Sequence, residues 1–131
     1  MSNSEADEDN NDIIGKCYRI KFCDGALESF QQALGSIKQK RRDSLTARIK
    51  TLIERLADGI CLGSESDVAE GQLPDGSRFR ALKKIPIRCY YWKSSTYDDV
   101  IFVSHFIYKD QQKLDKRTTE KVSNNWRRYE N

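Results

Sequence analysis

Two neighbouring stretches decide how this chain folds: Pro86-Ile87-Arg88-Cys89-Tyr90-Tyr91-Trp92-Lys93 and Val100-Ile101-Phe102-Val103-Ser104-His105-Phe106-Ile107-Tyr108. Side chains alternate across an extended strand, so Ile87, Cys89 and Tyr91 share one face of the first stretch and Arg88, Tyr90 and Trp92 share the other. Pro86 cannot donate to a ladder and belongs at a strand end. The second stretch is apolar on both faces, with Phe102 and Phe106 opposite Ile101, Val103 and Ile107, which suits a central strand. Thr96 to Asp99 turns the two into a hairpin, giving strands over 86–93 and 99–107. A third strand over 77–84 is entered through Leu73-Pro74-Asp75-Gly76, where Pro presets φ and Gly accepts positive φ.

Upstream, Lys16 to Cys23 alternates, with Tyr18, Ile20 and Phe22 against Arg19 and Lys21, the pattern of a half-buried strand. Asp24-Gly25 ends it, and Asp24 can cap a helix whose stripe is Leu27, Phe30, Leu34 and Ile37. Lys38 to Arg42 fall in that helix's last turn, complementing its dipole. Asp43-Ser44 reads as a second cap before Leu45, Ile49, Leu52, Ile53 and Leu56, and Gly59 follows as a stop. So short a joint predicts an antiparallel helical hairpin packed on the sheet. Residues 60–76 read as a loop, and Val122, Trp126 and Tyr129 are spaced for a closing helix over 118–129. The expectation is an α+β domain over 13–131, in the order N-terminal strand, antiparallel helical hairpin, three further antiparallel strands and a short C-terminal helix. Residues 1–12, acidic and with no hydrophobic periodicity, read as a disordered tail.

Charge is distributed unevenly along the 131 residues. The first twelve sum to −5, residues 13–76 to +1, and residues 77–131, with thirteen basic and six acidic side chains, to +7. A basic half favours a polyanionic partner. No apolar run approaches the roughly 20 residues that cross a bilayer, and no basic-then-apolar leader opens the chain, so the expected compartment is the cytoplasm. Cys17, Cys23, Cys61 and Cys89 show no C-x-x-C spacing and lie far from the one histidine, His105, which favours reduced buried thiols over a metal site; no cofactor is expected.

Three groups of residues can carry chemistry. Arg80, Arg88, Tyr90 and Trp92 set cations and aromatic rings on successive strands, the combination that holds phosphates and stacks unpaired bases; a solvated sheet face of ordinary strand formers competes with that reading. His105, Tyr108 and Lys109 lie at the end of the most apolar strand, where a groove beside the sheet would open. His105 is the side chain with an unperturbed pKa nearest neutrality, which suits a general acid or base equally with a satisfied core histidine. Lys113, Lys116, Arg117, Lys121, Trp126, Arg127 and Arg128 offer either a phosphate-contacting patch or the solvent side of a terminal helix.

Phe79-Arg80-Ala81-Leu82, Ile87-Arg88-Cys89-Tyr90-Tyr91-Trp92 and Val103-Ser104-His105-Phe106-Ile107-Tyr108-Lys109-Asp110-Gln111, together with the element order, resemble the RelE/ParE superfamily of toxin–antitoxin toxins, and within it the phage-derived HigB-like branch. The likeness spans roughly residues 16–130. His105 stands where that branch has glycine, Tyr108 replaces the first of its two lysines, and no proline follows Lys113. The resemblance implies a RelE-like fold and a metal-independent messenger-RNA endoribonuclease that acts on the ribosome and arrests growth. It casts Arg80 and Arg88 as phosphate stabilisers, Lys109 as a further cation and His105 or Tyr108 as the acid–base group, with Tyr90, Trp92, Lys113, Arg127 and Arg128 along the RNA. It also implies a helix-turn-helix antitoxin encoded next door, through which the pair would bind operator DNA. ParE-like members instead bind and block DNA gyrase, and a non-catalytic module for an acidic protein is a third reading.

Overall fold

A computed structural model describes residues 11–109 and 115–130. Along them run β1 (Ile13–Ile14), β2 (Arg19–Phe22), α1 (Ala26–Leu34), α2 (Gln39–Ala57), β3 (Asp67–Gln72), β4 (Arg78–Lys84), β5 (Ile87–Lys93), β6 (Val100–Tyr108) and α3 (Lys116–Tyr129). The strands form one sheet in the order β1-β2-β6-β5-β4-β3. β2 runs parallel to β6, with Ile20 beside Ile101, and every other neighbour is antiparallel. The parallel pair follows from the connection: the chain leaves β2 through two helices and three strands before β6 returns beside it.

The sheet is covered on both faces. Ile20, Leu82, Ile87, Cys89, Tyr91, Ile101, Val103 and Phe106 pack with Phe30, Leu34, Leu45, Ile49 and Ile53 of α1 and α2. On the other face Phe79, Ala81, Tyr90, Trp92 and Phe102 pack under Val122, with Trp126 and Tyr129 at the edges of the same cluster. Burial of this apolar surface on two sides is the main driving force for the fold.

The expected order of one strand, a helical hairpin, three antiparallel strands and a closing helix is therefore not the architecture. The sheet has six strands, is mixed, and gains β1 and β3 from segments read as tail boundary and loop. β3 is Asp-Val-Ala-Glu-Gly-Gln, polar and glycine-bearing, and lies at an edge where only one side needs a ladder partner. The helix boundaries differ as well. α1 ends at Leu34, and Lys38 to Arg42 begin α2, with Lys38 as its N-cap. Arg42 nonetheless reaches back, donating from Nε to the Ile37 carbonyl at 2.8 Å. Neither Asp24 nor Asp43 caps a helix; Gly25, at φ 83°, precedes α1 without a side-chain cap. Leu27 is exposed, and α1 buries Ala26, Ser29, Phe30, Ala33 and Leu34 instead.

Other expectations hold. Gly76 sits at φ 89° in the turn before β4, with its N–H on the Leu73 carbonyl at 2.9 Å, and Gly59 sits at φ 78° after α2. β6 is interior to the sheet, and Pro86 lies in the turn between β4 and β5. All four cysteines are free; Cys23 and Cys89 are buried as expected, whereas Cys17 and Cys61 are exposed, against the expectation of buried thiols. The tail reading falls largely outside the described residues. Asp12 falls within them and belongs to the fold, its carboxylate accepting from Lys21 Nζ at 3.1 Å with Arg19 Nε at 3.5 Å. Among the described residues no helix is long and apolar enough to cross a membrane.

Candidate functional site

The basic aromatic face expected from Arg80, Arg88, Tyr90 and Trp92 does not exist as one open surface. Arg80 pairs in register with Tyr91, and Ala81 with Tyr90, so Arg80 projects to the α1–α2 side and Arg88, Tyr90 and Trp92 to the α3 side. Arg80 donates from Nε to Asp67 Oδ1 at 3.0 Å, while the Tyr91 hydroxyl donates to both Asp67 carboxylate oxygens at 2.8 Å. Arg88 is 4% exposed, its Nη1 lying 3.5 Å from Glu70 Oε1. Tyr90 and Trp92 are 0% and 1% exposed. Stacking a base requires an accessible ring face, and α3 takes it from both. Burial raises the Tyr90 hydroxyl pKa, with the Arg88 charge opposing.

α3 is fixed on that face at its C-terminal end. Glu130, 8% exposed, accepts from Trp92 Nε1 at 2.9 Å, Ser94 Oγ at 2.6 Å and the Ser95 N–H at 3.0 Å. Burial alone would raise its pKa, but these bonds outweigh it and hold the carboxyl below its ordinary range. At the same end Arg128 donates to Asp24 Oδ2 at 2.6 Å, and Arg127 donates to Asn124 Oδ1 at 3.2 Å. They sit ten and eleven residues past Arg117, roughly 15 Å along a helix. These two arginines therefore do not share a site with the strand-end residues. Lys113 lies outside the described residues.

The strand-end residues do come together. Where β6 ends against the start of α3, His105, Ile107, Tyr108, Lys109, Asp115, Arg117, Thr118 and Lys121 line a groove of about 400 Å³. Three cations face one carboxylate there. Asp115 is the N-cap of α3, accepting the Thr118 N–H at 2.8 Å, and this bond holds its carboxyl below the usual range with help from Lys109 and Arg117. The positive end of the helix dipole points the same way. Tyr108 is 43% exposed on the rim. Among the described residues the Lys109 Nζ is buried and has no hydrogen-bond partner. A buried ammonium without an acceptor is costly, and an anionic oxygen is the group that would complete it.

His105 is 2% exposed, with its ring 5.2 Å from that of Tyr90. Desolvation first, then the Lys121 charge, lower its pKa to about 4, with Asp115 opposing. It is neutral at pH 7 and is not the group titrating near neutrality that the sequence suggested. Its Nδ1 lies 2.8 Å from Ser104 Oγ, and that oxygen accepts from Asn125 Nδ2 at 2.8 Å. Ser104, Asn125 and Asp115 were not singled out from the sequence. Asp115, three residues ahead of Thr118 and before an amphipathic run, carries a readable capping signal; the other two carry none. Among the described residues no three His, Cys, Asp or Glu side chains converge as a metal-ligand set.

No protein-family model matches this sequence, and comparison with curated proteins finds no match.

Proposed function

We propose that the groove between β6 and α3 binds the phosphodiester backbone of RNA, and that the protein is a growth-inhibiting endoribonuclease of the toxin–antitoxin kind its strand motifs resemble. The observation that carries this reading is the buried Lys109 Nζ, without a hydrogen-bond partner among the described residues, in a groove that also holds Arg117, Lys121 and a neutral His105. In the proposed reaction the RNA 2′-oxygen attacks the adjacent phosphorus and the bond to the 5′-oxygen breaks, leaving a 2′,3′-cyclic phosphate and a 5′-hydroxyl. Lys109, Lys121 and Arg117 offset the charge that develops on the phosphoryl oxygens. His105 contributes a hydrogen bond from its uncharged ring. Tyr108, on the rim, is the group that exchanges protons with the 2′- and 5′-oxygens. Arg80 and Arg88 are given no part, since each is engaged with a carboxylate within the fold and neither lines the groove. The substrate is messenger RNA on the ribosome, and the partner is a helix-turn-helix antitoxin from the adjacent gene, both by the same likeness.

Production of the protein without a partner in a bacterial host tests the reading. Growth should arrest and transcripts should shorten to fragments with 5′-hydroxyl ends, while plasmid supercoiling stays normal. Arrest with intact transcripts and lost supercoiling would replace the nuclease reading with gyrase inhibition.

A further inference from the structure

We propose that Ser104 and Asn125 are positioning residues that fix His105 as its Nε2–H tautomer, so that an uncharged imidazole N–H faces the groove. The proposal extends the phosphate-binding reading by assigning the form in which His105 serves it.

The argument begins with the ladder. β5 and β6 lose register between Tyr90, opposite His105, and Tyr91, opposite Val103, so Ser104 is the extra residue of a β-bulge. Bulges re-aim side chains that a regular strand would send to opposite faces. Here the bulge lets two successive side chains, Ser104 and His105, approach one another at 2.8 Å, both almost fully buried. α1 accommodates the irregularity from the far face, where Ser29 Oγ accepts the Phe106 N–H at 2.9 Å.

Hydrogen-bond direction then follows from what each atom can do. The Ser104 carbonyl oxygen only accepts, and the Asn125 side-chain atom 3.4 Å from it must be the amide nitrogen. The same nitrogen, at 2.8 Å, donates to Ser104 Oγ. Ser104 Oγ has one proton to give, and His105 Nδ1 is the acceptor beside it. With Nδ1 accepting, the neutral ring carries its proton on Nε2, the nitrogen left to the groove that His105 lines. The opposite tautomer would leave the Ser104 proton without an acceptor in a site 1% exposed, at the cost of an unmade buried bond. Relay from Asn125 through Ser104 therefore selects a donor, not a base, and a donor suits a phosphoryl oxygen.

His105 is the one histidine of the chain, so its ring nitrogens are observable without assignment. Imidazole ¹⁵N spectra at pH 7 should show Nε2 protonated and Nδ1 bare in the wild type. Asn125→Asp supplies an acceptor where there was a donor and should reverse the relay, moving the proton to Nδ1; Ser104→Ala should leave a mixture. Asn125→Asp should also slow RNA cleavage at least about tenfold, through kcat more than KM. A wild-type spectrum with Nδ1 protonated overturns the assignment, as does an Asn125→Asp spectrum unchanged from wild type; the first needs no variant to fold. Should the spectra come out as stated while the wild type cleaves no RNA, the tautomer stands and the nuclease reading falls.

Discussion

Trp92 Nε1 donates to Glu130 Oε2 at 2.9 Å, joining the middle of the sheet to the residue that ends α3. The bond is buried, and the same carboxylate also holds Ser94 and the Ser95 N–H. One side chain thus ties the end of α3 to the aromatic face of β5 that the helix covers. Hydrogen bonds to a charged group are each worth about 1.5–3 kcal/mol, and removing the acceptor leaves buried donors unmade. Glu130→Ala should cost about 2–4 kcal/mol, read as a lower urea midpoint, and should expose Trp92 to fluorescence quenching. An unchanged midpoint would mean that α3 is held by its apolar contacts alone.

The His105 environment predicts a specific acid sensitivity. Its pKa falls from 6.5 to about 4 in the folded protein, so between those values the unfolded chain binds the proton that the native state refuses. Stability therefore declines as pH falls below about 6.5, and the loss is complete below about 4, on the order of 3 kcal/mol. Above pH 6.5 the group contributes no pH dependence. His105→Gln should flatten this part of the profile relative to wild type while the carboxylates continue to titrate in both. Two identical profiles from pH 4 to 6.5 would show that His105 is not desolvated.

Arg88 separates structure from catalysis. At 4% exposed and paired with Glu70, it holds a buried ion pair, and breaking such a pair costs about 3–5 kcal/mol because a charge is left behind. Arg88→Ala should lower the denaturation midpoint sharply. Pairing it with Glu70→Ala should recover part of the loss. A stable Arg88→Ala protein that has lost only its activity would return Arg88 to the site.

How much of this was readable in advance depends on where burial lies. β6 is apolar on both sides because two layers cover it, and that two-sided apolarity marked it as interior. The bulge at Ser104 left no trace in the pattern, so Phe106 was assigned to the face of Phe102 when it packs with Val103 beneath α1. β3 escaped because an edge strand needs little apolar surface. The groove residues His105, Tyr108 and Lys109 were legible as polar groups ending an apolar strand. The RNA face was not, because a buried Arg-Tyr-Trp row and an exposed one have the same sequence, and only the packing of Val122 and Trp126 tells them apart.

The most direct test of the groove is to compare cleavage by the wild type and by Lys109→Met, using RNA both free and on programmed ribosomes, with the unfolding midpoint of each protein measured alongside. Lys109→Met keeps the apolar stem and removes a buried ammonium that has no hydrogen-bond partner among the described residues, so the midpoint should stay the same or rise. Cleavage should slow roughly a hundredfold or more, the effect of one lost donor to a developing oxyanion. Equal cleavage rates for the two folded proteins would contradict the assignment of this groove as the phosphate site.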